Sequence, residues 1–553
     1  MSIQKVYTPL FNLEKDKQML VQKGALQTTV SNYSRPIGTS GGRVVFSSID
    51  PASARHLLSR QFVLTTFVLA EYEAKVNNTV FSMSDIGFRN YPLNSVINDA
   101  KLVLNGYNVN ENIAENLHQQ TRYNSDVDNR EKNYSGRMPD LVTNYLEYAK
   151  SGKLPFDQMN DYDNKRTVEV IQVKTIVAAA AQVKQKIEVI YKIVEPLYMS
   201  LLRYKNFEDI ETNPFFGITT LSLDINFSTD LSKMLASSAP VVGKCSFCTE
   251  TGALSNQQII LKLTTYTPDE VVDRVLLPAF DQPIYYNFYE NVIQQRQPVS
   301  LRGARYELAQ AENIYFANSK QTVNMNNIVI NNIPDCIYIF AQKTVKDIND
   351  ADSYARLSNL KVKFANDTSN FNTFSDDDLY TMCVKNGYIH GYNQFVPSLI
   401  TSPQLLSGNS ATVNVLHGSG TVLKLDLTKG DINLSANLAS GTLINTNLQI
   451  SVDVQGTHKD TGANVEYTIF VMTQIKQLME IKSGACGVTS NLLSPDDVIN
   501  APMTDSSKFQ LMYEQENKKM SGSSVHSKKG GLRLGGQVMT ASDLADLANR
   551  TVF

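Results

Sequence analysis

Apolar residues recur at every second position along most of this chain, and a period of two is the repeat of a β-strand with a buried face. In the stretch from 61 to 76, Val63, Thr65, Phe67 and Leu69 alternate with Leu64, Thr66, Val68 and Ala70, so both faces are apolar enough for burial. Ile187, Val189, Tyr191 and Ile193 alternate with Lys186, Glu188, Ile190 and Lys192. Leu221, Leu223, Ile225 and Phe227 alternate with Ser222, Asp224 and Asn226. Beyond residue 225 the theme repeats in NQQIILKLTTY, QPIYYNFYE, NIVINNIPDCIYIFAQK, LSNLKVKFAN, TVLKLDLTKGDINL, TNLQISVDVQ and EYTIFVMTQIKQLMEI. Many such runs, closed by Asn, Asp or Gly and interrupted by few helical patterns, predict antiparallel β-sandwiches. One set on each side of residue 225 predicts two of them.

Length agrees, because 553 residues exceed what one hydrophobic core usually organises. The expected division is an N-terminal arm over 1–25, a first sandwich over 26–225, a second over 226–510 and a flexible tail over 511–553. The sharpest local signal is Asn105-Gly106 between Ala100, Leu102, Leu104 and the returning Tyr107–Val109. Asn-Gly supplies the two positive-φ positions of a type I′ hairpin turn. Helical spacing is confined to ENIAENLHQQTRY and MPDLVTNYLEYAKSG. In the latter, Pro139 suits a first turn, Leu141, Tyr145 and Tyr148 share a face, and Gly152 is a stop. Both read as insertions between strands.

The tail differs in kind. SGSSVHSKKGGLRLGGQ is rich in Gly, Ser and Lys, and Lys518, Lys519, Lys528, Lys529 and Arg533 make it locally basic. At its end Ser542 is an N-cap candidate ahead of Leu544 and Leu547 on one helical face, with Phe553 beyond. So short a helix needs a partner surface to fold, which makes these residues a candidate tether.

A search for chemistry returns little. The six His (His56, His118, His390, His417, His458 and His526) are scattered without metal-ligand spacing, and most of them read as surface or loop residues. Cys245 and Cys248 form a single CxxC with no second pair, while Cys336, Cys383 and Cys486 stand alone in β-like segments. Asp376-Asp377-Asp378 lacks the alternation and glycine of a calcium loop and reads as a solvated turn entering a short helix. HGSGTV at 417–422 has no following Lys or helix to cradle phosphate. No catalytic, cofactor-binding or metal residues are therefore assigned, no cofactor is expected and the chain is not read as an enzyme.

A net charge of −3 gives no global attraction for nucleic acid or an anionic membrane. Five Cys, an odd number, speak for folding in a reducing compartment. The opening segment meets charge at Lys5, Glu14 and Lys15 before any apolar run long enough for a signal peptide.

Several segments are similar to hexon-like double jelly-roll capsid proteins of adenoviruses, virophages, polinton-like viruses and tailless membrane-containing phages. They are Asn331 to Phe340, Asp352 to Asn366, Asp376 to Tyr388 and Gly418 to Leu434, with Phe88 to Gly106 and Glu195 to Leu202 in the first half. The resemblance spans about residues 25 to 500 and implies an all-β fold of two adjacent eight-stranded antiparallel jelly rolls, with a few helical and loop insertions. It implies a major capsid protein that forms trimeric, pseudo-hexameric capsomers of an icosahedral shell. The expected partners are further copies of itself and penton or minor capsid proteins, with an inner membrane or genome reached through the tail. The expected location is the virion capsid, after synthesis in the host cytosol or nucleus. In this setting Gly106 and Gly387 serve turns. A β-sandwich spike or penton-type receptor or glycan binder is the alternative reading. A β-rich glycoside hydrolase would need a pair of carboxylates brought together by the fold.

Overall fold

The computed structural model describes residues 27–123, 168–267, 280–364, 375–400, 415–458 and 463–490, together with Leu493, Arg533–Leu534 and Gln537–Val538. Within those spans 51–55, 90, 203–213, 304–305, 310–312, 317–319, 345–346, 351–353, 389, 397, 418–419, 430 and 433–438 are left aside.

The first sandwich is built from β1 (Gln27–Pro36), β2 (Arg43–Ile49), β3 (Leu57–Leu58), β4 (Val63–Ala74), β5 (Ile86–Phe88), β6 (Ile97–Leu104), β7 (Tyr107–Glu111), α1 (Ile113–Thr121), β8 (Val168–Val177), β9 (Lys186–Pro196), β10 (Leu221–Phe227), β11 (Leu235–Ser237), β12 (Val241–Cys248) and β13 (Gln258–Thr267). One sheet runs β1-β13-β4-β9-β8, with β12 also on β4 and β3 on β13, and the facing sheet runs β2-β10-β6-β7. Strand β4 has three strand neighbours and is buried along nearly its whole length, which is why its sequence is apolar on both faces. Strand β10 shows the other pattern, with Leu221, Leu223, Ile225 and Phe227 buried and the residues between them less so.

The second sandwich follows with β14 (Ile284–Arg302), β15 (Tyr306–Ala309), β16 (Asn313–Phe316), β17 (Gln321–Asn332), β18 (Cys336–Lys343), β19 (Arg356–Phe364), α2 (Asp376–Lys385), α3 (Tyr392–Phe395), β20 (Ser398–Ile400), β21 (Val415–His417), β22 (Val422–Asp426), β23 (Leu443–Gln455), β24 (Asn464–Lys482) and β25 (Ala485–Ser490). Its sheets are β14-β24-β18-β22, with β25 on β24, and β17-β23-β19. The order repeats that of the first sandwich. The opening strand pairs with the last long strand (β1 with β13, β14 with β24), which pairs in turn with an early strand (β4, β18). In the facing sheets β10 lies between β2 and β6 as β23 lies between β17 and β19. All these pairings are antiparallel, and two Greek keys closing on themselves in this way make a jelly roll.

The structure differs from the sequence reading at the division. The boundary drawn at 225 and 226 cuts through β10, the strand flanked by β2 and β6. Strands β11, β12 and β13 still pair with first-half strands, and Ile259, Leu261 and Leu263 sit in the first core. The physical reason is closure, since this sandwich ends only when its last strand returns to its first. Alternation reveals a strand but not the sheet it joins. The helical stretch at 138–152, the arm over 1–25 and most of the tail lie outside the described residues. In the C-terminal unit the described residues are Arg533–Leu534 and Gln537–Val538, paired antiparallel.

Candidate functional site: the seam between the sandwiches

With no catalytic cluster to build from, the arrangement that most defines what this subunit can do is the join between its two cores. Three devices make it.

The first is the pair of long strands. β14 and β24 are each 19 residues and pair along their length, from Ile284 opposite Ile481 to Arg302 opposite Asn464. At one end Tyr286, Phe288, Met479 and Ile481 belong to the first core. At the other Val299, Leu301, Tyr467 and Ile469 belong to the second. Between these ends the ribbon turns polar, and a bulge falls between Ile293 and Gln295. Gln294 donates to Thr473 Oγ1 at 2.9 Å, Gln474 to Asn291 Oδ1 at 2.9 Å and Gln477 to Glu290 Oε2 at 2.8 Å. Asn291 donates to Glu111 Oε1 at 3.2 Å, and Glu111 also accepts the Ser200 backbone N–H. Polar side chains survive here because each finds a partner where the two apolar cores stop.

The second device is the end of α1. Ile113 and Leu117 pack in the first core, whereas Tyr123, just past the helix, enters the second. The Tyr123 hydroxyl donates to the Val422 carbonyl, and its ring meets Tyr338 and Tyr388 at 5.6 and 5.5 Å between centroids. Burial holds the Tyr123 phenol well above its usual pKa, so it stays a neutral donor. Arg122 is fully buried, with its guanidinium 4.2 Å from the centre of the Tyr354 ring and Nη1 donating to the Gly420 carbonyl at 3.2 Å. Gly420 has φ +84°, and a Cβ there would lie 2.0 Å from the Tyr354 carbonyl oxygen, so only glycine lets that backbone close over Tyr354.

The third device is the turn 347–350, which leaves the second sandwich and docks on the first. Ile348 is buried in the first core, and its carbonyl accepts the Ser237 N–H at 2.9 Å. Asn349 Nδ2 donates to the carbonyls of Ser237 and Ala239 at 2.7 and 2.6 Å. Lys75 pairs with Asp347 at 2.7 Å, and Arg89 Nη2 donates to the Asp347 carbonyl at 2.7 Å. A Cβ on Gly243 would meet Leu235 at 2.7 Å and Ile348 at 3.2 Å, so the docking site is shaped by a missing side chain.

Close to the seam, Glu195 ends β9 fully buried, with Oε2 accepting both the Asn94 backbone N–H and its Nδ2 at 2.9 Å. Asn94 in turn donates to the Pro196 carbonyl at 2.9 Å and accepts the Tyr198 N–H at 3.0 Å. Desolvation pushes the Glu195 carboxyl up to about 7, against the lowering effect of the Asn94 bonds.

The residues singled out from sequence are placed as follows. Asn105 and Gly106, with φ of +47° and +85°, link β6 to β7, and Leu104 faces Tyr107 across the turn. The Asn105 side chain reaches further than the turn, accepting the Thr219 and Thr220 N–H groups at 2.7 and 3.1 Å and donating to the Gly217 carbonyl at 2.8 Å. Ser542, Leu544, Leu547 and Phe553 lie outside the described residues. Asp376–Asp378 form the first turn of α2, capped by Ser375, whose Oγ accepts the Asp378 N–H at 3.2 Å. Cys383 lies in that helix and not in a strand, because helical spacing around it was masked by β-branched and aromatic neighbours. His390 and His458 are buried and not at the surface, and His458 Nδ1 sits 2.9 Å from the Tyr467 hydroxyl. A loop histidine carries no periodic signal, so its burial depends on what folds over it. Burial also raises the thiols of Cys248, Cys383 and Cys486 to about 11, leaving them poor nucleophiles. Among the described residues no three His, Cys, Asp or Glu side chains gather as a metal site, and no helix is long and apolar enough to cross a membrane.

The seam residues themselves escaped the sequence reading. The one available signal was the polar interruption ENVIQQRQ between the apolar ends of β14, matched by TQIKQ in β24.

Comparison with known proteins gives a consistent result. Residues 304–476 match the family model of the major capsid protein V20 C-terminal domain. Capsid protein V20 of Sputnik virophage is 22% identical over 529 residues, covering 90% of this chain and 81% of that protein. In the Sputnik virophage structure a chain superposes with a TM-score of 0.68 at 18% identity, covering 90% of this chain and 94% of that one. The mavirus major capsid protein superposes with a TM-score of 0.65 at 15% identity, over 89% and 95% of the two chains. Residues 304–476 thus match the C-terminal domain model of the V20 major capsid protein, and the chain shares the fold of the virophage capsid proteins on which it superposes.

Proposed function

We infer that this chain is the major capsid protein of an icosahedral virion, assembling as homotrimers that act as pseudo-hexameric capsomers. The observation that carries this reading is the repeat of one strand order in two sandwiches joined by an interlocked seam. A subunit with two like bodies held at a set angle offers two like corners, so three copies around a threefold axis approximate a hexagon and can tile a shell. Shape and surface then perform the function, and catalysis has no part in it. The V20 relative supports the same reading.

In this reading the jelly rolls comprise β1 to β13 and β14 to β25, and the chain functions in the virion shell after synthesis in the host cytosol or nucleus. Its partners are other copies, with penton or minor capsid proteins at the lattice edges. The basic tail carrying Ser542, Leu544, Leu547 and Phe553 is assigned the role of tether to a membrane, genome or neighbouring capsomer. Native mass spectrometry with negative-stain imaging tests the core of the reading. Flat hexagonal trimers are expected, and a stable monomer at micromolar concentration with glycan affinity would replace the capsid reading with a binding module.

A further inference from the structure

Two buried amides on α1 stand apart from the hydrogen-bonded seam around them. Along this helix Ile113 and Leu117 enter the first core, Glu115 reaches Arg296 of β14 at 2.7 Å, and Tyr123 just beyond the helix enters the second core. The helix also packs against β6 and the turn at Asn94–Val96. At about 100° per residue, Asn116 falls beside Ile113 and Gln119 beside Glu115, so the pair spans from the side facing the first core to the side facing β14. Both are buried there, at 2% and 1% exposure.

Neither amide is satisfied from within the protein. Among the described residues Asn116 has a partner at neither Oδ1 nor Nδ2. Gln119 turns Nε2 back to donate to the Glu115 carbonyl one helical turn earlier, which leaves its Oε1 without a partner. Leaving a buried polar atom unbonded costs free energy, and nearly all such atoms in folded proteins are bonded to protein or to ordered water. Two acceptors and an NH2 group on one buried helix face therefore describe a place built to hold something polar.

The chemistry of these atoms selects the occupant. A metal cation needs several oxygens and compensating charge, whereas both oxygens here belong to neutral amides. The Glu115 carboxylate is taken by Arg296, and among the described residues no three His, Cys, Asp or Glu gather. An anion would meet two carbonyl oxygens and only the Asn116 Nδ2 hydrogens to receive it. Water both donates and accepts. One molecule can accept from Asn116 Nδ2 and donate to Gln119 Oε1, and a second can donate to Asn116 Oδ1, which supplies the polar contacts a buried water requires. A water bridge is enthalpically nearly as good as a direct bond and tolerates a gap between two packed bodies that side chains alone do not close.

We propose that Asn116 and Gln119 form a buried hydration site, in which ordered water bridges the two amides and completes the polar lining of the seam; the inference is independent of the capsid reading. A density map of the full-length protein that resolves ordered water should show a peak within hydrogen-bonding distance of Asn116 Nδ2 and Gln119 Oε1. The peak should persist in buffer containing EDTA and vanish in Asn116→Leu. No peak, or an Asn116 amide bonded directly to protein groups, would overturn the proposal, and a peak removed by EDTA would overturn it in favour of a cation. A mutant cycle tests the bridge in solution. If water serves both amides, Gln119→Met should lower the urea midpoint by clearly less in the Asn116→Leu background than in wild type. Equal shifts in the two backgrounds would mean that no shared water links the amides, and the proposal would fall. Where a variant fails to fold, the wild-type map decides.

Discussion

The two sandwiches share a strand order but complete their cores differently. The first is finished by segments from far along the chain: Tyr286 and Phe288 of β14, Met479 and Ile481 of β24, and Ile348 from the turn 347–350 all lie in its core. The second borrows less, with Tyr123 in its core and Arg122 lying over Tyr354. The loan is therefore reciprocal but unequal. A duplicated architecture need not mean two independent folding units, because ribbons that run from one core to the next make each half part of the other's interior. For a shell subunit this matters mechanically, since a hinge between the halves would blur the corners that neighbouring copies must meet.

The largest effect should come from removing the loan altogether. A fragment ending at Thr267 keeps every strand of the first sandwich yet loses the five borrowed side chains named above. Each buried aromatic or aliphatic side chain contributes roughly 1.5–3 kcal/mol, and the whole stability of a domain is about 5–15 kcal/mol. We expect this fragment to show no cooperative urea transition and to bind a hydrophobic dye. A sharp transition with native near-ultraviolet dichroism would show that the first sandwich is self-sufficient and break the comparison.

Tyr123→Ala tests the smaller loan in the other direction. It empties a site packed between Tyr338 and Tyr388 and removes the donor to Val422, and truncations of buried aromatics cost about 3–5 kcal/mol. Urea titration followed by probes in each half should show one shared transition moved to lower denaturant. Two separated transitions would mean that the seam does not couple the cores.

Much of this fold was legible in the sequence, because burial on one sheet face writes itself as alternation. β10 and β9 could be read residue by residue, and Asn105-Gly106 carries its own backbone requirement. The seam was not legible. Arg122 and Gly420, or Asn349 and Ser237, meet only after both sandwiches have formed, and no local period reports a contact between residues so far apart. The placement of the division near residue 225 failed for the same reason, since the return of β13 to β1 is a long-range event.

Glu195 sharpens the comparison through pH, because among the described residues only the first sandwich holds a fully buried carboxyl pushed up to about 7. A folded-state pKa above the unfolded one means that the folded form prefers the proton. Its stabilising contribution is complete below about pH 4.5 and is lost as pH rises through about 7. Glu195→Gln should therefore gain roughly 1–3 kcal/mol over wild type at pH 8, with the gain shrinking towards nothing near pH 4.5. A pH-independent difference between the two proteins would show that folding leaves the carboxyl pKa where it stands in the unfolded chain.

Asn349→Ala probes the docked turn. Its amide donates to two carbonyls of the first sandwich, of which Ala239 keeps the Val241 N–H at 2.8 Å, and losing both amide bonds in a buried site costs about 1–3 kcal/mol. Amide exchange should quicken at residues 237–241 and 347–350 together, while exchange within β17 to β19 stays at the wild-type rate. Faster exchange confined to 347–350 would mean that the turn rests on the first sandwich without supporting it.

Gly106→Val sits at the small end of the scale and stays within the first sandwich. The hairpin from β6 to β7 is closed by Asn105 and Gly106 alone, whereas the second sandwich places α2 after β19. At φ +85° a β-branched side chain is strained whatever space surrounds it, and here no atom lies within 4 Å of the added Cβ. Packing therefore contributes nothing to the effect, and the expected loss, about 1 kcal/mol or more, reports backbone strain only. Because Asn105 also bonds Thr219 and Thr220, the strain should extend to the strand entering β10 and appear as faster amide exchange near 219–221. A variant with the wild-type melting midpoint would mean that the turn relaxes to another conformation at no cost, and that the hairpin register is held by β10 and not by its own turn.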